Sequence, residues 1–362
     1  MKNHKKFIKK CLDLAILGKG NTKTNPLVGC VIVKNNQILA SGYHKKFGQA
    51  HAEKNAIEDL QKNYPKNYKN ILKEATLYVN LEPCSHYGKT PPCANLIIKY
   101  KIKKVVIGTL DPNKKVNGKG YRKLKEKTDV IIGVLEKECK EINAKYFINH
   151  RLKRPFIILK WAESKDKFIN TNSKGITQIS GQKSITLSHK WRSQVDAIMV
   201  GTNTITCDNP KLTTRYFSGK NPTRITIDRK NKLNEKSKWN IFNNDAKTII
   251  LNESKNKITK NIQYLNYQTN KTIQKMNESK KLVHIMKMLY KNQVRSILIE
   301  GGTIIIQKLI EENLWDEARI FTSNKKLLSG KKAPLLDYKK LITKTKEIEN
   351  DRLVFIQNKR SL

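Results

Sequence analysis

The sequence lacks both a long hydrophobic run and a balanced supply of acidic side chains. No apolar stretch approaches the roughly 20 residues that a transmembrane helix needs, so no membrane partner is expected. The apolar residues near the N-terminus are interrupted by Asp13, and their spacing predicts a surface helix in place of a signal peptide. Acidic residues number 30 against 73 lysines and arginines, which gives a formal net charge of +43 at pH 7.

Three further patterns are missing. The six cysteines do not have the spacing of a disulfide framework, which suits a reducing cytoplasm; they are Cys11, Cys30, Cys84, Cys93, Cys139 and Cys207. Internal repeats are absent, and no G-x-G-x-x-G follows a strand-like segment, so a Rossmann domain is not indicated.

The lysines are spread evenly among asparagines and isoleucines. A nucleic-acid surface needs clustered charge, so we expect weak, salt-sensitive polyanion binding and no specific nucleic-acid partner.

The most informative stretch runs from His51 to Cys93. It contains His51-Ala52-Glu53 at the start of a helical segment, and Pro83-Cys84 after an apolar, strand-like segment. A histidine and two cysteines form the ligand set of a catalytic zinc whose fourth position stays open. The alternative, buried packing residues, does not account for this ordering. The pattern predicts zinc ligands at His51, Cys84 and Cys93, with Glu53 as the catalytic proton shuttle of a zinc deaminase.

The spacing of the two cysteines narrows the class. Eight residues separate Cys84 from Cys93, whereas most zinc deaminases have two at this point. The segment P-C-S-H-Y-G-K-T-P-P-C, with N-P-L-V-G-C-V-I-V at residues 25–33 and D-P-N at 111–113, resembles the bifunctional deaminase/reductase family of riboflavin biosynthesis. The resemblance places Asn25 and His44 in a pyrimidine pocket. It places Lys89, Asp111 and Asn113 at the ribosyl phosphate.

Length favours two domains, and the basic stretch at residues 151–155, which ends in a proline, marks the boundary. We predict a deaminase domain over residues 1–150 and a reductase domain over 155–362. In the first, strand–helix alternation predicts a layered α/β sheet with helices on both faces. It includes a hairpin over 28–43, buried strands at 105–108 and 130–133, and one helix over 136–149. The polar region 231–277 carries little structural signal.

The second half resembles the same family's reductase domain, which has a dihydrofolate-reductase-like fold and uses NADPH. The matching segments are K-W-A-E-S at 160–164, G-T-N-T at 201–204, D-N-P at 208–210, L-T-T-R at 212–215, I-D at 227–228 and I-E-G-G at 299–302. The two glycines that end this last segment, at a strand-to-helix turn, let a phosphate approach a helix N-terminus. The resemblance implies cofactor contacts from Ala162, Gln178, Thr204, Asp208, Gly302 and Thr303. It implies substrate contacts from Ile176, Arg192, Leu212, Arg215 and Glu300, with Lys160 as the catalytic residue.

Two positions depart from the family pattern. Lys167 stands where the family usually has glycine, and Gln178 stands where it usually has tryptophan. Lys167 predicts backbone strain if its φ is positive, and Gln178 predicts weaker NADPH binding.

The sequence, together with the family resemblance, predicts a cytoplasmic enzyme that deaminates a phosphoribosylaminopyrimidine and then reduces its ribosyl chain. The resemblance also suggests a homo-oligomer. Two alternatives remain at this point. One is a nucleic-acid base deaminase with a basic binding module, and the other is a deaminase whose second domain is a non-catalytic scaffold.

Overall fold

The computed structural model describes residues 2–87, 91–171, 177–337 and 342–358. The chain divides into two compact units, the first ending at Leu152 and the second beginning at Lys153. Among the described residues, no helix combines the length and the hydrophobicity required to cross a membrane.

The first unit is built on a mixed sheet with the strand order β2-β1-β3-β4-β5. Its strands are β1 Gly29–Lys34, β2 Gln37–Tyr43, β3 Thr76–Leu81, β4 Lys104–Thr109 and β5 Asp129–Ile132. Its helices are α1 Lys2–Ile16, α2 Ala52–Asn63, α3 Tyr68–Glu74, α4 Cys93–Lys99, α5 Lys119–Lys125, α6 Glu136–Ile142 and α7 Ala144–Leu152. Strand β1 is antiparallel to both neighbours, whereas β3, β4 and β5 run parallel.

The predicted hairpin and layering are confirmed. Lys34 pairs with Gln37 across a turn in which Asn35 and Asn36 have φ values of +49° and +63°. Asparagine tolerates this left-handed geometry, which matches the twist of the flanking strands. Along β1, Cys30 and Ile32 belong to one hydrophobic cluster. Val31 and Val33 belong to another, together with residues of α1. The sheet is therefore covered by helices on both faces.

Two details of the first unit were predicted wrongly. The helix expected over residues 136–149 is two helices, separated at Asn143, whose side chain bonds to the backbone of Leu27. The Asn143 Oδ1 accepts from the Leu27 N–H at 2.8 Å, and Nδ2 donates to the Leu27 carbonyl at 2.9 Å. The strand near residues 130–133, expected to be buried, is the half-exposed edge strand β5.

The second unit contains a sheet ordered β11-β12-β10-β9-β8-β13-β6-β14-β17-β16. Its strands are β6 Phe156–Glu163, β8 Ala197–Gly201, β9 Thr223–Ile227, β10 Thr248–Asn252, β11 Lys257–Ile258, β12 Ile262–Asn266, β13 Ser296–Gly301, β14 Glu317–Ser323, β16 Ile342–Ile348 and β17 Asp351–Gln357. The strands from β12 to β14 run parallel, and β11, β17 and β16 add antiparallel edges. A separate small sheet pairs β7 Phe168–Asn170 with β15 Lys331–Lys332.

The helices of the second unit are α8 Gln182–Ser193, α9 Thr202–Asp208, α10 Lys271–Gln274, α11 Glu278–Lys291 and α12 Thr303–Glu311, with a short 3₁₀ turn at Asn240–Phe242. Helix α9 and strands β11, β12 and β16 were not predicted. Strand β12 lies in the polar region 231–277 and is only half-buried apart from Tyr264, so its sequence carries little hydrophobic signal.

Candidate functional site: a three-ligand metal centre and a cofactor-sized cavity

The three predicted metal ligands lie together in the first unit. His51 is the residue before helix α2, Cys84 lies in the irregular segment after β3, and Cys93 begins helix α4. His51 Nδ1 is 3.5 Å from the Cys84 Sγ and 3.4 Å from the Cys93 Sγ. All three ligand atoms lie within 4.8 Å of one another. One nitrogen and two sulfur donors converging in this way fit a zinc ion with a remaining open position.

The surroundings of Cys84 favour the thiolate that a metal requires. Hydrogen bonds with the Cys93 thiol and with His51 lower the pKa of Cys84 to about 4, against the effect of burial. The Cys93 backbone N–H, at the start of α4, donates to the Cys84 Sγ at 3.3 Å. The fold therefore surrounds the Cys84 sulfur with hydrogen-bond donors that stabilise its thiolate form.

We expect Cys84→Ser to lose most of its bound zinc, because the hard hydroxyl replaces one of the two thiolates. Metal analysis of the purified protein measures this. Cys207→Ser is the matched control, since Cys207 is exposed and belongs to the second unit. Parent-like zinc content in Cys84→Ser would remove Cys84 from the site.

Glu53 lies beside the metal ligands without joining them. It sits in the first turn of α2 and is only 3% exposed. Burial raises the pKa of its carboxyl, and the Cys93 thiol is a hydrogen-bonding neighbour. A raised pKa makes the carboxyl a stronger base than an ordinary glutamate, which favours the accepting step of a proton shuttle.

Asn25 and His44 meet next to this centre. The Asn25 Nδ2 lies 3.1 Å from the His44 Nε2, and the His44 Nδ1 lies 3.1 Å from the Ala50 carbonyl. Because a carbonyl only accepts, Nδ1 carries the proton and Nε2 accepts from the Asn25 amide. The His44 ring also packs edge-on against the His51 ring, with centroids 5.5 Å apart. The structure thus brings both predicted pyrimidine residues to the metal ligands.

The turn at residues 111–113 is held by groups of the protein itself. The Asp111 Oδ1 accepts from the Asn113 N–H at 2.7 Å and from the Tyr146 hydroxyl at 3.0 Å, and burial raises the pKa of Asp111 to about 7. Lys89, predicted to share the phosphate with this turn, lies outside the described residues.

The sequence analysis missed Glu82, which precedes Pro83-Cys84. Its buried carboxylate accepts backbone N–H groups from Asp111, Gly118 and Tyr121, each at 3.0 Å. Glu82 therefore ties the metal-binding segment to the turn at residues 111–113. The only sequence signal was an acidic residue at the end of a buried strand.

The second unit contains a cavity of about 910 Å³ at the carboxyl ends of the parallel strands β6, β8 and β13. Ligands of open parallel sheets commonly bind at this edge. The lining includes every residue predicted to contact the cofactor, namely Ala162, Gln178, Thr204, Asp208, Gly302 and Thr303, and also Lys160 and Glu300. Gly302 has φ +80°, and a Cβ there would lie 3.4 Å from the Gly201 nitrogen. The strand-to-helix turns at Gly201 and Gly302 can approach each other closely because neither glycine has a side chain.

The predicted substrate-binding residues of this unit differ in how far their side chains are free to contact a ligand. One edge of the Arg192 guanidinium donates to Glu300, with Nε–Oε1 at 2.9 Å and Nη2–Oε2 at 2.7 Å. This pairing lowers the pKa of Glu300 to about 2, although burial acts in the opposite direction. Arg215, in contrast, is exposed. Leu212 is buried with φ +54°, and Ile176 lies outside the described residues.

Lys160 is a half-buried residue on the cavity wall. Its Nζ lies 5.6 Å from the centre of the Phe321 ring. Burial lowers the pKa of Lys160, and the nearby Glu300 carboxylate partly opposes this effect. A desolvated ammonium with a lowered pKa gives up its proton more readily than an exposed lysine does.

Lys167 adopts the strained geometry considered for this position. Its φ is +69°, and its ammonium lies 2.5 Å from the Glu163 Oε1. Glu163 is buried, and its Oε2 accepts from the Trp161 indole N–H at 2.9 Å. The Lys167 ammonium therefore neutralises a buried carboxylate that is hydrogen-bonded to Trp161, a residue of the cavity wall.

A compact His-Cys-Cys centre with a buried glutamate is the arrangement of hydrolytic zinc deaminases. The second unit adds a cavity large enough for a dinucleotide, so the chain has the organisation of a deaminase joined to a reductase.

Comparison with known proteins identifies the family. The cytidine and deoxycytidylate deaminase zinc-binding region matches residues 1–109, and the RibD C-terminal domain matches residues 155–350. The riboflavin biosynthesis protein RibD of Aquifex aeolicus is 34% identical over 328 residues, covering 90% of this chain and 88% of that protein. RibD of Actinobacillus pleuropneumoniae is 35% identical over 329 residues, covering 90% and 85%.

A solved structure agrees over the whole length. The diaminohydroxyphosphoribosylaminopyrimidine deaminase/5-amino-6-(5-phosphoribosylamino)uracil reductase of Thermotoga maritima is 32% identical, with a TM-score of 0.80. The match covers 98% of this chain and 99% of that chain. This chain belongs to the RibD family of bifunctional deaminase/reductases of riboflavin biosynthesis.

The family assignment confirms several predictions. The fold class is a cytidine-deaminase-like unit followed by a RibD reductase unit, and the enzyme uses zinc and NADPH. It acts on a small-molecule substrate. Neither the nucleic-acid base deaminase nor the non-catalytic scaffold is favoured by these matches.

We expect Gln178→Trp to lower the KM for NADPH by about twofold to tenfold, because an aromatic ring on the cavity wall adds a stacking surface worth about 0.5–1.5 kcal/mol. Steady-state NADPH oxidation measures the change. Gln178→Leu separates ring stacking from general hydrophobicity, and the deamination rate serves as an internal control. An unchanged or raised KM in Gln178→Trp would contradict this role for the side chain.

Proposed function

We propose that residues 1–150 deaminate 2,5-diamino-6-hydroxy-4-(5-phosphoribosylamino)pyrimidine to the corresponding amino-uracil. Residues 155–362 then reduce its ribosyl chain to give 5-amino-6-(5-phosphoribitylamino)uracil. The observation that carries the proposal is the convergence of the His51, Cys84 and Cys93 ligand atoms within 4.8 Å beside the buried Glu53. The name of the Thermotoga maritima protein supports the choice of substrates.

In the deaminase unit, His51, Cys84 and Cys93 hold the zinc. When bound, zinc supplies the Lewis acidity that makes water a nucleophile near neutral pH. Glu53 accepts the proton released from that water and delivers it to the departing amine. Its raised pKa keeps the protonated carboxyl accessible during this transfer. Asn25 and His44 orient the pyrimidine, and Lys89, Asp111 and Asn113 form the end of the site that receives the phosphate.

In the reductase unit, the cavity holds NADPH against Ala162, Gln178, Thr204, Asp208, Gly302 and Thr303. Bound there, NADPH would supply the hydride that reduces C1′ of the sugar. The ring oxygen O4′ gains a proton as the C1′–O4′ bond opens, and Lys160 holds that proton at its Nζ. Ile176, Leu212 and Arg215 contact the sugar phosphate, and the Arg192–Glu300 pair forms the adjoining wall.

Three further proposals concern the cellular location, the oligomeric state and the partners of the enzyme. We propose a cytoplasmic enzyme, because all six cysteines are free thiols and two of them serve as metal ligands. We propose a homo-oligomer by the family resemblance. We also propose no specific nucleic-acid partner, because the lysines are dispersed along the sequence.

Two coupled assays test the proposal. The purified zinc-loaded chain is given the diamino-pyrimidine substrate, and release of ammonia is followed. The deaminated product is then supplied with NADPH, and its oxidation is followed at 340 nm. We expect both reactions. Deamination with no NADPH oxidation at any cofactor concentration would leave the second unit as a scaffold. Deamination of oligonucleotides in place of the small substrate would restore the nucleic-acid alternative.

A further inference from the structure

A buried histidine of the second unit, His189 on helix α8, lies between two of its arginines. His189 is 2% exposed. Its Nδ1 accepts from the Arg215 backbone N–H at 2.8 Å and lies 3.5 Å from the Tyr216 backbone nitrogen. Its Nε2 lies 3.2 Å from the Arg192 Nη1, and its ring packs edge-on against Tyr216. Neither the sequence nor the family resemblance assigned it a role.

The hydrogen bond from Arg215 fixes the protonation of the ring. A neutral imidazole has one nitrogen able to accept, and the contact with the Arg215 N–H is the shorter of the two, so Nδ1 accepts and Nε2 carries the proton. The Arg192 Nη1, itself a donor, is then a neighbour of Nε2 and not its hydrogen-bond partner. Burial and the charges of Arg192 and Arg215 lower the pKa of His189 to about 4. Protonation would remove the acceptor at Nδ1 and place another cation beside two guanidinium groups. The imidazole is therefore an acceptor at neutral pH.

The acceptor holds one end of the loop formed by residues 212–216. The Arg192 Nη1 holds the middle of this loop through the Thr213 carbonyl at 3.1 Å. The Arg215 side chain bonds back to the Thr213 Oγ1, also at 3.1 Å. Arg192 is in turn fixed by Glu300. The exposed Arg215 guanidinium thus projects from a backbone whose position depends on His189.

We propose that His189 is a positioning residue of the reductase, whose Nδ1 sets the loop that presents Arg215 to the sugar phosphate. The proposal rests on the proposed role of Arg215 in binding the substrate phosphate. It requires an acceptor at the position of Nδ1 and does not require an imidazole as such.

Two variants with an amide side chain, His189→Asn and His189→Gln, test this requirement. The Oδ1 of asparagine can replace Nδ1, because both atoms are bonded to Cγ, whereas the carboxamide of glutamine reaches the position of Nε2. We expect His189→Asn to keep the KM for the deaminated substrate within about threefold of the parent. We expect His189→Gln to raise it about tenfold or more, because the Arg215 N–H loses its acceptor and the loop loses this anchor. The kcat and the KM for NADPH should change by less than about threefold in both variants.

Binding of ribose 5-phosphate, measured by calorimetry on the same proteins, separates this proposal from the proposed function. Loss of affinity in His189→Gln and not in His189→Asn supports the positioning role even if the parent fails to oxidise NADPH. That failure would overturn only the reductase assignment. Equal losses in the two variants, no loss in either, or a parent that does not bind ribose 5-phosphate at millimolar concentration would overturn the role of His189.

Discussion

We expect Glu53→Gln to deaminate its substrate about 10²–10⁴ times more slowly than the parent while keeping one zinc per chain. Glutamine preserves the shape of the buried side chain but cannot accept a proton from water. The three ligand atoms do not include Glu53, so metal binding survives the change. Ammonia release and metal analysis, made on the same preparation, measure the two effects.

The matched control is Glu58→Gln, which alters another glutamate of helix α2. Glu58 is exposed and pairs with Lys54 at 3.6 Å, a surface contact of little energetic value. Its deamination rate should equal that of the parent, and both variants should oxidise NADPH normally. A loss below about tenfold in Glu53→Gln, or loss of its zinc, would show that this carboxyl is not the proton shuttle.

The second large effect concerns stability. We expect Glu300→Gln to destabilise the second unit by about 3–5 kcal/mol, because it leaves the Arg192 guanidinium buried without its counter-charge. The two side chains are 7% and 13% exposed, respectively, and form a bidentate pair. All four tryptophans, Trp161, Trp191, Trp239 and Trp315, belong to this unit, so tryptophan fluorescence during urea unfolding reports on it alone.

The control for this variant is Glu278→Gln. Glu278 also pairs with an arginine, Arg229, but the two side chains are 48% and 49% exposed. Its removal should cost less than about 1 kcal/mol. The pKa of Glu300 is lowered to about 2, so its stabilisation is present above the pKa of the unfolded chain and lost toward pH 2. The gap between parent and Glu300→Gln should therefore narrow below about pH 4. Equal destabilisation by the two variants at pH 7 would contradict the buried-pair argument.

Local patterns predicted much of this molecule. The hairpin was readable from the two asparagines between apolar strands, and the metal centre from residue types that few other sites require. What could not be read depends on contacts between distant segments. Asn143, where the expected helix is interrupted, bonds to Leu27, which lies 116 residues away in the sequence. The role of Glu82 depends on three backbone N–H groups, and backbone groups are not encoded by any particular side chain.

His189 illustrates the same limit. Its acceptor serves a backbone N–H of Arg215, 26 residues later, so the identity of that residue gives no hint of the contact. The partner of Arg192 was also not predicted: its Nε and Nη2 both donate to Glu300. Sequence reasoning identified the arginine but not the partner that occupies it.

The pairing of Lys167 with Glu163 affects which later substitutions the chain can tolerate. Returning position 167 to glycine would relieve a backbone strain of about 1 kcal/mol. It would also leave the Glu163 carboxylate buried with only the neutral donors of Trp161 and Thr322. Glycine at position 167 therefore has two opposing effects, a relaxed backbone and a buried carboxylate without its cation. The free energy of unfolding of Lys167→Gly measures which of the two effects is larger.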